Sequence, residues 1–132
     1  MPFKEIPHTA DWCLQVWAED LPSLFAEAAR GLNHLSGLKL AAKPERHCSF
    51  TSTAPDMETH LVSFLSELIF HMEYKKIGFD QFTFDLTENG LKVLMKGAPV
   101  LSVSKLIKAV TYHNLQIRQA GTHCEVEIVF DG

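Results

Sequence analysis

Two carboxylates stand side by side at the end of this chain, and they are the groups best suited to chemistry. One is the side chain of Asp131, and the other is the α-carboxylate of Gly132. Neighbouring anions raise each other's pKa unless a cation lies between them, and calcium and magnesium prefer such oxygen ligands. The apolar run 126–130 predicts a buried strand that holds both groups in place. We therefore expect the end of the chain to be a cation ligand.

A second polar group lies near the start, where His8 and Asp11 belong to the string H-T-A-D at 8–11. A strand-like stretch, 12–17, follows it, so Asp11 would stand at the mouth of a strand. The acids at the two ends of the chain could meet only if the first and last strands finish on the same side of a sheet. The residues alone favour a plainer interpretation, in which Asp11 caps a turn and Asp131 is a polar chain end.

The third notable pattern is the string K-A-V-T-Y-H at 108–113. On a strand its side chains would alternate between faces, with Lys108, Val110 and Tyr112 on one face and Ala109, Thr111 and His113 on the other. This arrangement places no nucleophile beside a base. We interpret the string as a surface that positions a partner or the metal loop, with Lys108 as the charged contact. A tightly packed strand with Tyr112 in the core is the alternative.

Two amphipathic helices are predicted between these patterns. Apolar residues recur at three- and four-residue spacing over 21–35 and again over 57–75. Asp20 and Asp56 are suited to cap the two helices, and Gly37 and Gly78 to end them. The segment 38–46 is predicted to be a loop.

The remaining segments are predicted to be strands. Asn89-Gly90 lies between apolar stretches and is the strongest short hairpin signal. A second hairpin is expected to pair 110–117 with 124–130. The order of elements predicts an α+β fold, in which residues 1–132 form a single domain with a largely antiparallel β-sheet and both helices packed against it.

Composition limits the classes of function. The chain has 132 residues and a formal net charge of -4, so it has no overall attraction for nucleic acid. Lys105 and Lys108 could still contact RNA or an acidic surface, or could be plain solvated lysines. Three cysteines, none in a C-x-x-C pair, predict reduced thiols. No signal peptide or membrane-spanning run is evident, so we expect a cytoplasmic protein with no membrane contact.

Together, the H-T-A-D string, the K-A-V-T-Y-H string and the closing acidic residue resemble the archease family over essentially the whole chain. The resemblance implies a small protein partner of an RtcB-type RNA ligase, which promotes guanylylation and repeated turnover in tRNA splicing and RNA repair. It also implies that Asp11, Asp131 and the Gly132 carboxylate bind a divalent metal ion, calcium being the best match. RNA would be met only through the ligase. The oligomeric state is left open.

The chain departs from the family pattern at two places. The family usually ends in Ile or Val rather than Gly132, although only the main-chain carboxylate is needed as a ligand. The family often has Gly-Glu where this chain has Gly97-Ala98, and the segment 99–104 is more apolar than in relatives. An acidic contact with the ligase or with the metal is therefore expected to be absent or relocated.

Two further functions stay open. A small metal-dependent hydrolase could use Asp11, Asp131 and His8, given a substrate pocket and a basic group near a metal-bound water. His8 is otherwise interpreted as a hydrogen-bond partner of Asp11, because hard cations prefer oxygen ligands. A chaperone-like protein-binding module would need an exposed apolar patch.

Overall fold

The computed structural model describes residues 2–6 and 11–132. Within these residues the chain forms nine strands, two α-helices and one π-helical segment. In chain order they are β1 (Phe3–Ile6), β2 (Trp12–Ala18), α1 (Leu21–Ser36), β3 (Lys39–Leu40), β4 (Arg46–Ser52), α2 (Met57–Phe70), the π-helical segment (His71–Lys75), β5 (Ile77–Thr87), β6 (Gly90–Ser102), β7 (Ala109–Val110), β8 (Arg118–Ala120) and β9 (His123–Asp131).

Both helices begin at the aspartates predicted to cap them. The amide of Ser23 donates to Oδ1 of Asp20 at 2.8 Å, and the amide of Thr59 donates to Oδ1 of Asp56 at 2.7 Å. These bonds satisfy amides that have no partner inside the helix. Helix α1 ends at Gly37, whose φ of 67° is the left-handed conformation that glycine tolerates best.

The second helix ends differently from the prediction. Its last turn widens into the π-helical segment, and Lys76, with φ of 58°, closes it by donating its amide to the carbonyl of His71. Gly78, predicted as the stop, lies instead inside β5. A Cβ on Gly78 would collide with the side chains of Leu38 and Leu40, so this glycine serves close packing rather than helix termination. Leu40 itself belongs to the short strand β3, within a segment predicted to be only a loop.

The strands form two antiparallel sheets. The first has the order β1-β2-β9-β7, with β8 pairing another part of β9. The second has β6 at its centre, bonded to β3, β4 and β5. The predicted Asn-Gly hairpin joins β5 to β6, where Thr87 pairs with Gly90. The α+β fold with two helices and antiparallel sheets is therefore confirmed, its strands divided between two sheets.

The second predicted hairpin forms only at its two ends. β7 and β8 both pair with β9, but residues 111–117 between them form no strand, and beyond the Thr111 amide, which still donates to Val129 of β9, the chain leaves the sheet. Asn114 takes a positive φ of 53°, and the amide of Leu115 donates to the carbonyl of Tyr112 in a turn. The amide of Ile117 donates to Glu58 of α2 at 3.0 Å instead of to a strand. A carboxylate from the first turn of α2 thus replaces the ladder bond expected from alternation.

Each helix packs against both sheets, because α1 contacts β1, β2, β5 and β9, and α2 contacts β4 and β7. Phenylalanines join the layers: the ring of Phe64 lies 5.4 Å from that of Phe84 and 6.2 Å from that of Phe25. A single cluster of buried apolar residues links the two sheets and both helices. Among the helices in residues 2–6 and 11–132, none has the length and apolar character needed to cross a bilayer.

The Asp20 cap yields a test of the first helix. Its bond to Ser23 holds the pKa of Asp20 below the ordinary value, so the cap stabilises the fold when the carboxylate is ionised. We expect Asp20→Ala to lower the free energy of unfolding by about 1 kcal/mol at neutral pH. The loss should fade as the pH falls through the folded-state pKa, which lies below the unfolded value of about 3.9. Urea titrations at several pH values measure it. Glu19→Ala removes an adjacent exposed charge without a cap, and an equal loss there would contradict the assignment.

Candidate functional site

The first and last long strands of the chain are neighbours in the same sheet. β2 pairs antiparallel with β9, and Trp12 lies opposite Phe130. Asp11 comes directly before Trp12 and Asp131 directly after Phe130, so this register brings the two acids to the same end of the strand pair. Asp131 and Gly132 are exposed there, and Asp11 is half-buried. The juxtaposition required by the sequence-based hypothesis is therefore present.

The K-A-V-T part of the string at 108–113 secures the end of β9. The amide of Lys108 donates to the carbonyl of Asp131 at 2.8 Å, and the amide of Thr111 donates to the carbonyl of Val129 at 2.9 Å. Between them, Ala109 pairs with Asp131 and Val110 with Phe130. The last strand is consequently held by β2 up to Phe130 and by residues 108–111 up to Asp131, which limits the fraying common at chain ends.

Tyr112 and His113 do not lie on the strand that alternation predicted. Both are exposed, and the 58% exposure of Tyr112 excludes the alternative that it is a core residue. The amide of His113 donates to Oγ1 of Thr111 at 3.2 Å, because the chain has already entered the turn around Asn114. The predicted surface thus has an exposed Lys108 beside β9 and an exposed turn beyond it. His8 lies outside the described residues.

An aromatic side chain adjoins the carboxylate end. A Cβ added to Gly132 would collide with Nε1 of Trp12, so the last residue lies against the edge of the indole ring. Glycine allows this approach because it has no Cβ. Sequence reasoning did not single out Trp12. Its position directly after Asp11 was the available signal.

Lys105, in the segment after β6, contacts the Trp12 ring at this end of the sheet. Nζ of Lys105 lies 4.3 Å from the centroid of the Trp12 ring and 3.9 Å from Oε1 of Glu5. The negative face of an indole ring attracts an ammonium group. Lys105 therefore places a positive charge over the Trp12 ring, whose edge lies against Gly132.

Cysteine and glutamate occupy the same face of the strand pair. Sγ of Cys13 donates to Oε1 of Glu127 at 3.3 Å, on neighbouring strands. Burial, and then this carboxylate, raise the pKa of Cys13 to about 12, so the group is a neutral thiol near pH 7. Cys13, Cys48 and Cys124 are all free. The reduced state of the three thiols stays a prediction.

The donor set suits a hard cation but is incomplete. Asp11 and Asp131 would supply carboxylate oxygens, which fit calcium or magnesium. Calcium takes six to eight oxygens in general, more than two side-chain carboxylates provide. Within the part of the chain that the structure describes, no three His, Cys, Asp or Glu side chains come together in a group that could hold a metal. The remaining positions would fall to the Gly132 carboxylate, to water or to a partner.

Comparison with known proteins decides the family. A model of the Archease protein family matches residues 3–131. The chain belongs to the archease family. Protein archease of Methanopyrus kandleri is 32% identical over 139 residues, covering 99% of both chains. Protein archease of Methanosarcina mazei is 28% identical and covers 98% of this chain and 94% of its own. The resemblance inferred from the three patterns is confirmed.

Two solved structures share the fold. A crystal structure from Thermotoga maritima, described as an archease and possible chaperone, aligns with a TM-score of 0.74 at 24% identity, covering 98% of this archease and 96% of its own chain. The solution structure of Methanobacterium thermoautotrophicum protein 1598 also gives 0.74, at 22% identity and 99% coverage of each chain. These likenesses establish the arrangement of helices and sheets.

The backbone bond from Lys108 can be tested apart from its side chain. Lys108→Pro removes the N–H that donates to the Asp131 carbonyl, whereas Lys108→Ala retains it. Because a hydrogen bond contributes about 1 kcal/mol, we expect the Thr111 amide to exchange with solvent about fivefold faster in Lys108→Pro. Hydrogen exchange followed by NMR reports it. Equal exchange rates in the two variants would show that the string does not secure β9.

Proposed function

We propose that this archease is a non-catalytic activator of an RtcB-type RNA ligase. In this proposal it docks beside the ligase's nucleotide site and promotes guanylylation and multiple turnover. Asp11, Asp131 and the α-carboxylate of Gly132 hold a divalent cation, with calcium as the best match. The observation that carries the proposal is the β2–β9 register, which brings residues 11 and 131 to one end of the sheet in a chain of this family.

The accessibility of these carboxylates supports a role at an interface. Asp131 and Gly132 are exposed at the edge of the molecule. A donor set that is incomplete on one protein can be completed by oxygens of a second. The bound cation would supply positive charge next to phosphoryl oxygens, where guanylylation accumulates negative charge. The chain's own part is to hold the carboxylates on a fixed strand end and to keep Lys105 and Lys108 beside them.

A protein-binding module of chaperone type is the second candidate. It draws support from the apolar side chains exposed on the described surface, including Leu101 at 68% and Leu106 at 52%. The description of the Thermotoga maritima relative as a possible chaperone points the same way. A metal-dependent hydrolase remains as a third outcome. The three functions differ in whether ligase, metal and carboxylates are all needed.

The carboxylate variants test the activator directly. We expect the protein to raise ligation and guanylylation by an RtcB-type ligase from the same organism, under conditions of multiple turnover. At calcium concentrations below the Kd, Asp11→Asn and Asp131→Asn should each remove about nine-tenths of the stimulation or more, since we expect the loss of one charged ligand to weaken cation binding at least about tenfold, or about 1.4 kcal/mol. Calcium titration by calorimetry should lose its binding signal in the same variants.

The matched control is Asp85→Asn, which neutralises an exposed aspartate on β5 in the other sheet. It should stimulate and bind calcium like the parent protein. Stimulation that survives both Asp11→Asn and Asp131→Asn would exclude the cation site. Hydrolysis in the absence of ligase would favour the metal-dependent enzyme, and suppression of aggregation alone would favour the chaperone.

The terminal carboxylate can be tested by extending the chain. Three residues appended after Gly132 would replace the α-carboxylate with a neutral peptide carbonyl. We expect the extended protein to unfold at the same urea concentration, because Gly132 is exposed and outside the buried core, but to lose calcium affinity and stimulation. An extended protein that stimulates normally would show that the α-carboxylate is not a ligand.

A further inference from the structure

A shallow apolar groove lies beside the carboxylate end and has no part in the metal hypothesis. One wall is formed by Ile69 and Met72 from the end of α2 and the π-helical segment, and the other by Val103 and Leu106. Ile107, which is buried, also lines the groove. Its volume is about 60 Å³, room for on the order of four water-sized groups. This volume can hold the four carbons of a leucine side chain.

The groove is preformed rather than a gap between loose segments. The amides of Ser104 and Lys105 both donate to the carbonyl of Ser36, at 2.8 and 3.1 Å, which ties the Val103–Leu106 wall to the end of α1. The other wall is anchored where the amide of Val100 donates to the carbonyl of Lys76 at 2.8 Å. A site whose walls are already fixed loses little conformational entropy when a partner enters it.

Apolar exposure is concentrated around this groove. Among the described residues, large apolar side chains exposed to solvent are Phe70, Tyr74, Leu94, Leu101, Val103, Leu106 and Tyr112. Three of these seven fall within residues 101–106. Of the seven, Val103 and Leu106 line the groove itself. Phe70 and Tyr74, with rings 5.5 Å apart, belong to α2 and the π-helical segment but do not line it. Contiguous exposed apolar surface with a polar rim is typical of protein interaction sites.

The rim of the groove is basic in a chain that is acidic overall. Lys76 and Lys105 line the groove, Lys75 precedes Lys76, and Lys108 follows Ile107. Glu73 is the acidic residue of the lining. The whole chain carries 12 basic against 16 acidic residues, so two lysines against one glutamate in the lining are a local excess of positive charge, with Glu5 lying 3.9 Å from Lys105. Complementarity requires an acidic occupant.

We propose that this groove seats a leucine-like side chain from an acidic segment of the protein partner. The inference rests on the proposed function, since the partner is taken to be the RtcB-type ligase. The apolar recess favours a protein segment over RNA, whose phosphates would meet the lysines but leave the recess empty. Lys105 lines the groove and also lies over Trp12, next to Gly132. A segment docked here is therefore held beside the carboxylates.

The experiment compares two equally exposed leucines. Leu106, at 52% exposure, lines the groove, whereas Leu94, at 51%, lies on β6 outside it. We expect Leu106→Ser to raise the Kd for the ligase about tenfold or more, measured by calorimetry, because a buried leucine contact is lost. Leu94→Ser should leave the Kd within about twofold. Urea titration checks that both variants fold.

Charge variants provide a second, independent measurement. Lys76→Glu should raise the Kd about fivefold or more at low salt, and the difference should shrink at high salt because ions screen the interaction. The control is Lys43→Glu, which changes an exposed lysine outside the groove lining.

Stimulation at saturating protein separates the groove from the carboxylates. There, Leu106→Ser should recover full stimulation, whereas Asp11→Asn should retain its Kd for the ligase and lose stimulation.

The possible outcomes distinguish a failure of the groove proposal from a failure of the proposed function. Ligase binding that Leu106→Ser and Lys76→Glu leave unchanged overturns the groove while the activator role stands. No binding by the parent protein overturns both. Self-association that Leu106→Ser abolishes, seen by sedimentation, would make a second copy the occupant and overturn the proposal. Binding of a single-stranded RNA oligonucleotide that Lys76→Glu abolishes, with ligase binding intact, would also overturn it.

Discussion

The antiparallel pairing of β2 with β9 is the interaction on which the candidate site depends. It joins residues as far apart in sequence as Cys13 and Glu127, which are separated by 114 positions. The length-dependent entropy of closing such a loop is about 4 kcal/mol. Leu14, Val16, Val126 and Ile128 are buried along the two strands. Burying four such side chains contributes roughly 6 to 12 kcal/mol, which exceeds this length-dependent cost of closure. The carboxylates are brought together by apolar packing.

Because apolar packing pairs β2 with β9, the fold tolerates carboxylates that lie next to one another on an exposed edge. Repulsion between solvated carboxylates is weak beside the burial that fixes the strands. The backbone of residues 108–111 holds β9 from its other side, and the Trp12 ring lies against Gly132. Restricting the strand end lowers the entropy lost when a cation binds. A fixed, incomplete donor set suits a cation shared with a second protein.

Sequence patterns revealed the elements whose determinants are local. Asp20 and Asp56 cap the helices as expected, because capping depends on side chains within three residues. The hairpin predicted from Asn89-Gly90 also forms, although its two turn residues are Glu88 and Asn89 and, of the pair, Gly90 alone takes a positive φ. The segment 111–117 was mispredicted, since Glu58 from α2 takes the Ile117 amide and the bond depends on tertiary packing. The prediction that residues 11 and 131 meet came from family resemblance, because local periodicity does not determine the order of strands in a sheet.

In the proposed activator, the groove and the carboxylates have different roles: the groove binds the partner, and the carboxylates hold the cation. Exposed charged side chains provide little affinity for a protein partner, because surface ion pairs contribute about 0–1 kcal/mol each. Affinity therefore has to come from apolar burial elsewhere on the same face. The segment 103–107 provides that surface, and its Lys105 connects it to Trp12 and the end of β9. Anchoring at the groove would leave the carboxylates free to respond to charge on the partner's reacting group rather than to hold the complex together.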